Sequence, residues 1–230
     1  MVTEIISRKR ALHLAVDFSW ICAAKAGLSN RAIDTIHADV RAFTDAATPY
    51  ADTAWVVFGA KFSFHGQPVP LCEELEELAD YWEISACRPR VGETIVVKNH
   101  QDGFFAGELE KIIRIHYPMA ETLVFSGGLT DQCVAWTMAS GLRRGYRCLG
   151  AANLMFKARS VRADGADARA AMLRHAVENH LNHERVPQRD KLMENFDAAI
   201  AEFILRQLKE KPALPLKETP VSLLTENRIA

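Results

Sequence analysis

Short, nearly unbroken apolar runs alternate with longer stretches of helical periodicity along this chain. Ala11–Val16 (Ala-Leu-His-Leu-Ala-Val), Ala54–Phe58, Thr94–Val97 and Thr122–Phe125 are each bounded by polar residues or glycine, the form taken by strands covered on both faces. Tyr146–Leu149 is a weaker fifth run and Arg185-Val186 a very short sixth. Between them, Asn30–Ala46, Leu71–Trp82, Gly107–His116, Cys133–Arg144 and Asp167–Leu181 carry apolar residues at helical spacing. Strand and helix in alternation are the sequence form of βαβ units, so the pattern predicts an α/β fold, a three-layer α/β/α sandwich around a parallel sheet. Leu192–Leu208 predicts one more amphipathic helix, with Phe196, Ile200, Phe203 and Ile204 on one face. Prolines at 212, 215 and 220 bar the following tail from extending that helix. Neither an internal repeat nor a low-complexity linker divides the chain, which predicts a single domain over residues 1–210 and a proline-containing tail over 211–230.

This topology says where chemistry belongs. In open parallel sheets ligands bind beyond the carboxyl ends of the strands, near the point where strand order reverses. Asp17 ends the first run, Lys98 ends the third, and Cys133 follows the fourth through a turn and opens a helix. A thiol at a helix N-terminus feels the positive end of the macrodipole, and a nearby ammonium further favours thiolate. A carboxylate within reach of that thiol can take its proton and return it to a departing amine. Gly127 and Gly128 allow a sharp turn after the strand, so that the amides of Leu129 and Cys133 can face a developing oxyanion. Each residue also has an ordinary structural reading: a small buried hydrophobe for the cysteine, a turn cap for the aspartate, a solvated strand end for the lysine. Periodicity alone therefore supports the fold and leaves the triad open.

The run Gly127-Gly-Leu-Thr-Asp-Gln-Cys133-Val, leading into a helix that closes on Arg144-Gly-Tyr146, resembles the nucleophile segment of the isochorismatase-like cysteine hydrolases. Leu12-His-Leu-Ala-Val-Asp17 is similar to that family's first strand with its catalytic aspartate. Val96-Val-Lys98, followed by Asp102-Gly-Phe104, is similar to the strand with its catalytic lysine, Asp-Gly-Phe standing where the family has Ser-Ala-Phe. The matches occur in family order and cover residues 11 to about 190. The resemblance implies a six-stranded parallel sheet, a Cys133, Asp17, Lys98 triad, and a cis peptide before Leu129.

The chain also departs from the family pattern. Asp17-Phe-Ser-Trp20 replaces the usual Asp-x-Gln, losing an amide and adding bulk. Nicotinamidases of the family hold a metal with Asp-x-His and a further histidine after the second strand, whereas Gly59-Ala-Lys-Phe-Ser-Phe-His65 offers one histidine and no carboxylate. One histidine is too few ligands for a divalent ion, so no metal and no cofactor are expected. Ala151-Ala-Asn-Leu stands where the family has an acidic residue after the fifth strand, and a structural role is expected there. His175, His180 and His183 lack the i, i+4 spacing of a chelating pair, which leaves a helix face or a subunit contact. Phe104, Trp20, Phe18 and Phe62 are the expected apolar walls of the substrate pocket, with His100 as a polar candidate. Phe64, Phe105 and Trp136 are lesser aromatic candidates, core packing being the better reading for Trp136, while Lys61 and Gln67 are polar candidates on position alone.

Composition narrows the partners. Lys plus Arg number 28 against 29 for Asp plus Glu, a formal net charge of -1, which supplies no electrostatic attraction for nucleic acid or an anionic membrane. No apolar signal core or membrane-length run is present in the sequence, and the expected location is cytoplasmic. The five cysteines include no C-x-x-C pair, which predicts unbridged thiols. The expected function is hydrolysis of a C–N bond in a small amide, carbamoyl or ureido compound through a Cys133 acyl-enzyme, in a homodimer or homotetramer. The alternatives are a vinyl-ether hydrolase of isochorismatase type, whose chemistry needs no thiol, and a catalytically drifted binding or scaffolding protein.

Overall fold

The computed structural model describes residues 7–18, 26–58, 89–90, 93–157, 165–183, 186 and 188–210. Six strands form one sheet: β1 (Ala11–Val16), β2 (Ala51–Phe58), β3 (Thr94–Lys98), β4 (Thr122–Gly128), β5 (Arg147–Phe156) and β6 (Phe196–Ala199). Their order across the sheet is β3-β2-β1-β4-β5-β6, and every neighbouring pair is parallel. The chain thus winds outward from β1 in one direction and restarts at β4 in the other. The strand order reverses between β1 and β4, where such sheets bind ligands.

Alternation along each strand sorts side chains to two faces. Leu12, Leu14, Val16, Val56, Leu123 and Phe125 face helices α2 (Glu108–His116), α3 (Ala135–Arg143) and α4 (Ala166–His183), packing on Leu109, Ile113, Met138, Leu142, Leu173 and Val177. Ala15, Trp55, Val57, Val124 and Leu149 face α1 (Asn30–Ala47) and α6 (Ala201–Glu210), packing on Ile33, Val40, Phe43 and Ile204. With helices on both sides the sheet is the middle of three layers, as the periodicity predicts. Helix α1 begins where Ser29 accepts a hydrogen bond from the Ala32 N–H, a side-chain cap.

Two expectations about the C-terminal part are overturned. The sixth strand is Phe196–Ala199, and Val186 lies in none. The expected helix Leu192–Leu208 is divided into a short α5 (Arg189–Met193), that strand, and α6. The Cys148 N–H donates to Asn195 O at 2.8 Å, and Phe196 is buried against the sheet. Pairing with the otherwise unfinished edge of β5 outweighs the helical spacing of the apolar residues. Strand β5 is also longer than expected, so Ala151-Ala-Asn-Leu lies inside it and not after it. The expected helix Leu71–Trp82 and the 211–230 tail lie outside the described residues.

One buried polar cluster sits in mid-sheet. His13 Nε2 lies 2.7 Å from Ser126 Oγ on β4, and its Nδ1 lies 3.5 and 3.4 Å from the hydroxyls of Thr44 and Thr53. Burial, with a smaller contribution from Arg41, lowers the His13 pKa to about 3, so the ring is neutral. Beside it, the Arg41 guanidinium pairs with Glu93 at 2.6 Å, and Trp55 Nε1–H donates to the same carboxylate at 2.7 Å.

Candidate active site

Asp17 directly follows β1. Its N–H continues the ladder to Val56 O at 2.8 Å, while its φ of 52° puts it in the left-handed region, an uncommon state for a residue with a Cβ. The side chain is 2% exposed. Lys98, at the end of β3, is in register with Phe58 of β2. Its ammonium lies 2.8 Å from Asp17 Oδ2, 4.7 Å above the Phe58 ring centre, and within 3.2 and 3.5 Å of the carbonyls of His100 and Gln101. The lysine reaches across β2 to an aspartate two strands away. Asp17 Oδ1 is buried, and among the described residues it has no hydrogen-bond partner. An unsatisfied buried carboxylate oxygen is costly and calls for a reason.

The approach to Cys133 is built by two glycines. Gly127 has a φ of 108° and pairs with Val16, and a Cβ there would lie 1.8 Å from Val16 O. At Gly128 a Cβ would lie 2.1 Å from the Phe156 ring. No side chain is tolerated at either position. The strand runs through both glycines instead of ending at Phe125 as expected. The Gly128-Leu129 peptide is cis, as the resemblance implies. Thr130–Val134 then forms a π-helical turn that feeds α3. Thr130 Oγ1 donates to Phe156 O at 2.9 Å, and Thr137 Oγ1 donates to Cys133 O at 2.7 Å, tying the turn down at both ends. Cys133 is partly exposed and unbridged. Cys148 is wholly buried, and burial pushes its thiol up in pKa.

The expected pocket walls fare differently. Phe104 is 2% exposed and packs between the Arg144 guanidinium, 4.5 Å from its ring centre, and Tyr146. Phe18 is fully buried, edge-on to His37, Trp55 and Phe156. Both belong to the buried core, Phe104 on one side of the sheet and Phe18 on the other. His100 is half-buried: its ring stacks on Phe105 at 4.2 Å, meets Trp136 edge-on, and accepts the Asp102 N–H at Nδ1. Trp136 also contacts His180 at 4.2 Å, which gives that histidine an aromatic neighbour. Trp20, Phe62, Phe64, Lys61, His65 and Gln67 lie outside the described residues. Phe58 and Thr137 were not foreseen, since a strand-end phenylalanine and a helical threonine carry no signal of their own.

A cavity of about 600 Å³ opens between the start of α1 and the end of β5, lined by Ser29, Arg31, Lys157 and Arg169 among others, and none of Asp17, Lys98 and Cys133 lines it. Among the described residues no group of three or more His, Cys, Asp or Glu is placed to hold a metal ion, and no helix is long and apolar enough to cross a membrane.

The isochorismatase domain model matches residues 13–177 of the chain. The chain belongs to the isochorismatase family. That is a family of hydrolases, and the match spans the segments that carry Asp17, Lys98 and Cys133. Solved structures with the isochorismatase fold superpose over most of its length. An isochorismatase-like hydrolase from Alkaliphilus metalliredigens shares 14% identity at a TM-score of 0.58, covering 87% of this chain and 99% of its own. A cysteine hydrolase from Pseudomonas syringae shares 15% at 0.55, covering 91% and 99%. N-carbamoylsarcosine amidase from Thermoplasma acidophilum shares 17% at 0.54, covering 84% and 97%.

Proposed function

We propose that this isochorismatase-family protein hydrolyses a C–N bond of a small amide, carbamoyl or ureido compound, with Cys133 as nucleophile. The observation that carries the reading is Asp17: one carboxylate oxygen is held by Lys98, and the other is buried without a partner among the described residues. Such an oxygen is a ready proton acceptor at the sheet's switch point, beside the strand that leads to Cys133.

In the first half-reaction Asp17 Oδ1 takes the Cys133 thiol proton as Sγ adds to the substrate carbonyl carbon. The resulting oxyanion faces the backbone amides of Leu129 and Cys133. Its collapse breaks the C–N bond, and the departing nitrogen takes the proton from Asp17. In the second half-reaction Asp17 removes a proton from water, hydroxide adds to the thioester carbon, and the C–S bond breaks. The acid or carbamate leaves, and the thiolate regains its proton from Asp17. Lys98 stays protonated throughout and fixes the orientation of the carboxylate.

The test is turnover of a panel of small amides, carbamoyl and ureido compounds, with Cys133→Ala as control. The expected result is release of ammonia or amine by the native protein alone. Cys133→Ala turning over at the native rate would overturn the mechanism.

A further inference from the structure

Lys98 and Cys133 stand on elements that do not touch in the sheet. Strands β3 and β4 are separated by β2 and β1, about 14 Å at the usual spacing between strands. A single loop, residues 99–107, covers that distance, and it is bonded to both.

On one side, the carbonyls of His100 and Gln101 receive the Lys98 ammonium. On the other, the loop is fastened to the helix that Cys133 leads into. Asp102 Oδ1 accepts the Phe104 N–H at 2.9 Å, Asp102 Oδ2 accepts the Ser140 hydroxyl, and the Asp102 N–H donates to His100 Nδ1 at 3.0 Å. The Gly103 N–H donates to Thr137 Oγ1 at 2.9 Å, and that same hydroxyl donates to Cys133 O. The approach at Gly103 is close, since a Cβ there would lie 3.0 Å from the Thr137 methyl and 3.2 Å from Val56. Asp102 and Gly103 are two of the positions at which the chain departs from the family's Ser-Ala-Phe, and both departures are used in this contact.

We propose that Asp102, Ser140 and Thr137 are positioning residues that fasten the Lys98 loop to the Cys133 helix, fixing the ammonium and carboxylate relative to the thiol. The proposal rests on the reading of Cys133 as nucleophile. Without the fastening, the carbonyls of His100 and Gln101 no longer hold the ammonium in place beside the thiol, and the thiolate is less favoured.

The experiment is alkylation of the native protein by iodoacetamide at pH 7, followed by peptide mapping of all five cysteines. In the wild type Cys133 reacts faster than the other four. Ser140→Ala and Thr137→Val are expected to slow Cys133 about threefold to tenfold, and Ser140→Thr and Thr137→Ser, which keep the hydroxyls, to restore it. Thermal unfolding of each variant confirms a folded sample. Mere loosening of the loop would expose Cys133 and speed its reaction, so rates that are unchanged or faster in Ser140→Ala and Thr137→Val overturn the positioning role. A wild type with no preference for Cys133 overturns the nucleophile reading instead.

Discussion

Strand β1 takes part in two buried polar clusters that differ in kind: one across to β4, the other at its carboxyl end across to β3. In mid-sheet, His13 is neutral, and both ring nitrogens have hydroxyl neighbours on Ser126, Thr44 and Thr53. At the carboxyl ends, Asp17 and Lys98 are a buried ion pair with one carboxylate oxygen unpartnered among the described residues and a left-handed backbone at the aspartate. Both clusters are equally hidden. Burial of polarity alone therefore does not distinguish the two; what sets the proposed site apart is uncompensated polarity beside a left-handed backbone at the switch point.

The sharpest way to break this comparison is Cys133→Ala, with an expected loss of at least about a thousandfold in turnover and little change in unfolding temperature. Next is Asp17→Asn, which removes the carboxylate charge paired with the buried Lys98 ammonium and is expected to cost about 3–5 kcal/mol in denaturant unfolding. Adding Lys98→Met should recover much of that stability and none of the activity, separating a pair kept for chemistry from one kept for folding. The mid-sheet cluster should respond to pH instead. Unfolded His13 takes a proton below about 6.5, whereas the folded ring resists until about 3. The folded state thus binds fewer protons in that window, and stability is full above it and falls as pH drops through it. Between pH 6.5 and 4.5 thermal unfolding should register a loss on the order of 2 kcal/mol from this group, and His13→Asn should flatten that slope. His37, lowered to about 4 chiefly by burial, acts in the same direction. An exposed pair sets the floor: removing Arg114, 74% exposed and paired with Glu110 on α2, should change stability by less than about 0.5 kcal/mol.

Much of the fold was legible because β1, β2 and β4 lie inside the sheet with helices on both faces and so read as continuous apolar runs. Helices α1, α2 and α4 start or end within a residue or two of their expected limits. Strand β6 was not legible: Phe-Asp-Ala-Ala is too short to show a period of two, and the apolar spacing on either side fits a helix. At the candidate site, the strand-end places of Asp17 and Lys98, which the structure brings together, and the glycine turn before Cys133 were legible. The depth at which Phe104 and Phe18 are packed was not legible, because adjacency in sequence to a strand end does not say how far a ring is buried. Asp102 was visible only as a departure from a motif, since its partner Ser140 lies 38 residues away.

The reversal of strand order divides the proposed chemistry along the chain. Asp17, which would carry the proton, and Lys98, which would orient it, precede the loop at 117–121, and the groups that would handle the acyl group, Leu129 and Cys133, follow it. The molecule is in this sense two half-catalysts sharing one hydrophobic seam, the contact between β1 and β4. A chain cut in that loop would leave one fragment with Asp17 and Lys98 but without Cys133, the other with Cys133 but without Asp17, and reassociation of the two would be needed to restore the proposed centre.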